Sequence, residues 1–141
     1  MKPYFLIFPL ILMLTSCSCN PEGIAQFAFS SMENVLGDGF MPSEELRALG
    51  KFQSTSVNLS ASTQDGVEES TIFLRLENGD PKLLAERREL LARQCAELYL
   101  RDFEKAAEYA QITIQFVQTD PSDSENMAME EYSFAVADFN P

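Results

Sequence analysis

Cysteine and carboxylate are the side chains with chemistry to offer here, because the 141 residues contain no histidine. Without imidazole there is no Ser–His or Cys–His dyad, no imidazole general base and no histidine metal ligand. The cysteines are Cys17, Cys19 and Cys95. No CxxC pair exists, and Cys17-Ser18-Cys19 has neither the spacing nor the context of a zinc site. A reactive thiol needs a nearby cation, a base or a helix N-terminus. Cys95 instead falls on the apolar face of a helical pattern, which predicts a packed core side chain. Asp120, Asp123, Glu125, Glu130 and Glu131 crowd a second stretch. Hard cations such as calcium use such oxygens, but D-x-x-D-x-E is not the EF-hand pattern and lacks its central glycine. A solvated acidic loop is the reading that remains. With 22 Asp plus Glu, chance carboxylate pairs abound and none stands out as an acid–base couple. There is no phosphate-cradling glycine loop, no Walker pattern and no nucleophile elbow. No cofactor and no metal site is implied.

A third grouping would bind rather than react. Ser54, Ser56, Asn58, Ser60, Thr71, Arg75, Thr113, Gln115 and Ser133 fall on the polar side of alternating strand patterns, with Phe73 and Val117 among them. Asn58, Phe73, Arg75 and Gln115 are the candidate binding residues, suited to a protein or a glycan. A net charge of −12 argues against nucleic acid, whose phosphates require Lys and Arg, and favours a cationic partner.

The N-terminus reads as an address. Lys2 precedes an apolar run from Tyr4 to Leu14, broken by Pro9. This is a secretory signal pattern, and it is short of the roughly 20 residues that span a bilayer. It ends in Leu14-Thr15-Ser16-Cys17, which resembles the lipobox of bacterial lipoproteins. The resemblance implies diacylglycerol on the Cys17 sulfur, cleavage after Ser16 and acylation of the new amino end, hence a stable anchor in a lipid bilayer. Ser18 in place of Asp implies delivery to the outer membrane. On this reading residues 1–16 are the signal peptide, 17–23 a lipidated tether and 24–141 a single domain. Loss of Lys2 leaves 9 basic residues against 22 acidic. With Cys17 a thioether, only Cys19 and Cys95 are left to pair. No such bond is expected between a tether and a helix.

The elements that must position these side chains follow from period and punctuation. Ile24 to Leu36 has helical spacing, ended by Gly37 and Gly39. Ser43 caps a short helix from Glu44 to Leu49, with Gly50 as its stop. Thr55, Val57, Leu59 and Ala61 alternate with Ser54, Ser56, Asn58, Ser60 and Ser62, the pattern of a half-buried strand. Gln64-Asp65-Gly66 signals a hairpin into a second strand with Ile72, Leu74 and Leu76 inward. Asp80 and Pro81 then start a long helix to about Asp102, with Leu84, Leu91, Cys95, Leu98 and Tyr99 on one face. Gln111 to Gln118 alternates again, with Ile112, Ile114 and Phe116 inward. A polar loop from Thr119 to Asn126 leads to a last strand containing Tyr132, Phe134 and Val136.

The order strand, strand, helix, strand, strand predicts an α+β two-layer sandwich. Its four-stranded sheet should be rich in antiparallel pairs, with a short helical segment in front. The mature chain resembles small uncharacterised lipoproteins of Bacteroidota-type bacteria, a likeness that carries no chemistry with it. The expected function is a tethered, non-enzymatic envelope domain. A carboxylate-based hydrolase and a ligand- or calcium-binding lipoprotein are the alternatives. Residues 24–49 are expected beside the long helix, because covering the outer sheet face would strand its hydroxyls and amides.

Overall fold

A computed structural model describes residues 35–139. The expectations for Cys17, Cys19 and residues 24–34 lie outside that range. Among the described residues, three helices and a four-stranded mixed sheet make an α+β fold. Helix α1 spans Glu44–Gly50. Strands β1 (Ser54–Gln64) and β2 (Val67–Glu77) follow. Helices α2 (Pro81–Glu86) and α3 (Arg88–Asp102) lead to β3 (Gln111–Asp120) and β4 (Asp123–Ala135). The spatial order is β1-β2-β3-β4. β1–β2 and β3–β4 are antiparallel, and β2–β3 is parallel. The parallel pair requires a crossover, which α2 and α3 supply.

Local chemistry accounts for the start of several elements. Ser43 Oγ accepts from the Leu46 N–H of α1, and Glu44 and Glu45 sit at its positive end. Asp65 and Gly66 both have positive φ, as a two-residue hairpin turn requires. The Asp80 carboxylate accepts from the Lys82 N–H at 2.9 Å, with Pro81 in the first turn of α2.

Four boundaries differ from the sequence reading. The left-handed residue that ends α1 is Lys51 (φ 51°), not Gly50. Gly50 is a packing requirement, since a Cβ there would overlap the ring of Phe52. The long helix is broken at Arg87 (φ −146°, ψ 46°). Arg88 Nε takes the Leu84 carbonyl at 2.7 Å, the acceptor that its own backbone N–H would use in an unbroken helix. The stretch from Thr119 to Asn126 is not a loop. β3 runs on to Asp120, β4 begins at Asp123, and the tight turn between them is held by Asp120 Oδ1 accepting from the Ser122 N–H at 2.8 Å. At its far end β4 stops at Ala135, and Val136 is buried in a 3-10 turn, Val136–Phe139.

The core lies between the helices and one sheet face. Ile72, Leu74, Leu76, Ile112 and Ile114 are fully buried, and α3 contributes Leu91, Ala92, Cys95, Ala96 and Tyr99. Cys95 is the packed core thiol expected, and burial pushes its pKa up to about 12. The described part of the segment expected beside the long helix joins this core through Phe40 and Leu46. The Tyr99 hydroxyl donates to the Phe40 carbonyl at 2.8 Å, and Arg101 pairs with Glu45 across α3 and α1. Phe52 stacks on Phe116 with ring centroids 5.8 Å apart.

Candidate functional site

The strand register decides which polar residues meet. Asn58 lies beside Phe73, Phe73 beside Thr113 and Thr113 beside Ser133. In the next outer row Ser56, Arg75, Gln115 and Glu131 are neighbours. Asn58, Phe73, Arg75 and Gln115 therefore come together. With Ser56 and Val57 they line a depression of about 400 Å³ on the sheet face opposite the core. Among the described residues, no helix packs on this face.

Its polar groups are partly committed. Arg75 Nε donates to Glu77 Oε1 at 2.6 Å, which neutralises the guanidinium. Among the described residues that is its hydrogen bond, and two NH₂ groups are left for an acceptor. Gln115 Nε2 donates to Glu131 Oε1 at 2.7 Å, leaving the amide oxygen as an acceptor. The Thr113 and Ser133 hydroxyls are 2.9 Å apart. Asn58 is exposed, and the Phe73 ring is half-buried among these groups. The arrangement holds one aromatic face between amides and a paired guanidinium. Val117 differs from expectation. It shares this face by register, yet it is 1% exposed and adds no apolar surface.

The acidic cluster is drawn apart by the hairpin. Asp120 caps the turn through Ser122, and this hydroxyl and backbone N–H hold its carboxyl below the usual range. Asp123 accepts from the Glu125 N–H at 3.1 Å. Glu131 belongs to the outer face through Gln115. Glu130 lies opposite Phe116 on the helix side and pairs with Arg88.

That pair is the feature which sequence reading missed. Arg88, Glu130, Leu84, Phe116, Gln118 and Ala128 line a small cleft of about 120 Å³ at the open end of the helix layer. The Tyr132 hydroxyl donates to Glu130 Oε2 at 3.2 Å. The Arg88 hydrogen bond holds the Glu130 carboxyl below its ordinary range, and Glu130 raises Arg88 in return. A carboxylate kept ionised this way is a poor proton donor near neutral pH, so the pair serves as a clasp between α3 and β4. The signal was an acidic residue at an inward strand position, legible only once β4 is known to begin before Glu130. No family model, no curated protein and no solved structure matches this chain.

Proposed function

We propose that this protein is a lipid-anchored domain of the bacterial envelope that binds a glycan through the outer face of its sheet, without catalysing a reaction. The observation that carries the binding half is the half-buried Phe73 ring set among Asn58, Arg75 and Gln115. An aromatic face stacks on the C–H side of a sugar ring, while amides and a guanidinium take its hydroxyls in pairs. Because Glu77 neutralises Arg75, a ligand with no strong charge suits the site. The anchoring half rests on Leu14-Thr15-Ser16-Cys17 and its resemblance to a lipobox. A second reading, a cationic envelope protein as the ligand, is favoured by the net charge of −12. Salt should weaken that association, whereas a neutral glycan is held with little salt dependence.

A photoreactive residue in place of Asn58, activated in living cells, tests the site. The expected product is a sugar-bearing adduct that disappears when Phe73→Ala is combined with Gln115→Ala. Protein adducts would select the second reading, and adducts untouched by the double change would refute the site. Anchoring is tested separately. Cys17→Ser should move the protein out of the membrane fraction and remove the acyl mass, and an unchanged partition would refute lipidation.

A further inference from the structure

The two edges of the sheet are built differently. β4, at one edge, carries Asp123, Glu125, Glu130 and Glu131. An edge strand offers unpaired N–H and C=O groups to other chains, and charged side chains are a common guard against such pairing. β1, at the other edge, runs for 11 residues without a charge, a proline or a glycine. It pairs with β2 in unbroken register along its length, so no bulge twists it away. Every other helix and strand among the described residues contains at least one charged residue.

In a chain of net charge −12, two copies repel over most of their surfaces. An uncharged strand is where they can meet without that cost. β1 is also matched to itself. Two copies laid antiparallel about Leu59, the middle residue, set Leu59 against Leu59 and Val57 against Ala61 on the helix side. On the outer side Asn58 meets Ser60, and Ser56 meets Ser62. Apolar side chains oppose apolar ones, and hydroxyls oppose hydroxyls or amides, in two equivalent halves as a two-fold interface requires.

We propose that the protein forms a two-fold homodimer by antiparallel pairing of β1 with β1 of a second copy, centred on Leu59. The two sheets then become one. Directly opposed residues of an antiparallel pair share a face, so both helix layers lie on one side and both Phe73 depressions on the other. The dimer presents two depressions to one extended ligand, a gain in avidity that a lone domain lacks.

Sedimentation of the full-length chain in detergent reads the mass, and a dimer is expected. Ser60 is exposed, so Ser60→Lys and Ser60→Glu should leave the circular dichroism spectrum unchanged. Each should raise the dimer dissociation constant by about tenfold or more. Loss with both signs marks strand pairing, since a mere net-charge effect would make Ser60→Lys associate more tightly. Ser124→Lys, on the β4 edge, should leave the mass unaltered. Leu59→Cys should give a disulfide-linked dimer above the level of the parent chain under oxidising conditions. A monomer, whether bare or with another segment or protein on β1, would overturn the proposal. So would a dimer indifferent to both Ser60 changes, one broken by Ser124→Lys, or one without the Leu59 cross-link.

Discussion

Adjacent rows of the same four strands behave as two materials. Along Val57, Leu74, Ile114 and Tyr132 the two central residues are fully buried under the helices. One residue further along, Asn58, Phe73, Thr113 and Ser133 form a row with exposed ends and a hydroxyl pair joining its last two members. The inner face is held by removal of apolar area from water, a non-directional force that tolerates no gaps. The outer face is held by pairs such as Arg75–Glu77 and Gln115–Glu131, each of which keeps donors or acceptors in reserve. Stability therefore resides mainly on one side of the sheet, and the other side can change its ligand without endangering the fold.

Substitutions should separate the two faces by size of effect. The largest is Leu91→Ala. Leu91 is 6% exposed in the main core, so the change should cost about 2–5 kcal/mol in a denaturant titration. A cost near zero would mean that α3 does not pack as described. Next comes alkaline pH. The Cys95 thiol moves from an ordinary value of 9.0 to about 12 on burial. Raised in the folded state, it contributes stability in full below pH 9, which is lost as pH climbs from 9 towards 12. By a pH of about 10 the loss should reach about 1.4 kcal/mol, and burial of Tyr99 acts in the same direction. Cys95→Ala should flatten this alkaline slope, and a slope unchanged by it would place the sensitivity elsewhere. The smallest effect is Phe73→Ala. The ring is half-buried and outside the main core, so the same titration should show less than about 1 kcal/mol. A core-sized loss would reveal a layer packed on the outer face and erase the contrast.

The inner face was legible because Ile112 and Ile114 alternate with Thr113 and Gln115, and Leu74 and Leu76 with Arg75 and Glu77; between Ile72 and Glu77 only Phe73 is apolar on the other parity, and period two has one structural meaning. Asp65-Gly66 and Asp80-Pro81 were legible because their backbone preferences are local. The first half of β4 was not. From Asp123 to Met129 both sides of the strand are exposed, so there is no apolar contrast to read. That ribbon exists because β3 pairs with it. The break at Arg87 was hidden for another reason. It is marked by the Arg88 side chain taking a backbone acceptor of the preceding turn, while composition and apolar spacing continue through it. Phe40, Phe52 and Phe103 sit in connecting segments without period, and their burial is set by rings far away in the chain. At the candidate face, parity alone placed Asn58, Phe73, Arg75 and Gln115 on one side. Their acidic companions Glu77 and Glu131 emerged only from register and rotamer.

The parallel joint between β2 and β3 shapes the history of each molecule as well as its final form. The two hairpins close through tight turns, on the fast timescale of local contacts. The seam between them is the long-range contact, joined across the whole stretch from Asn78 to Ala110, and topology makes its closure the slow step to expect. A chain with both hairpins formed and this seam open would have four unsatisfied strand borders, where the closed sheet of one chain has two. Substitutions that weaken the seam at Leu74 or Ile114, which face each other across it, should therefore shift refolding towards association with neighbouring chains.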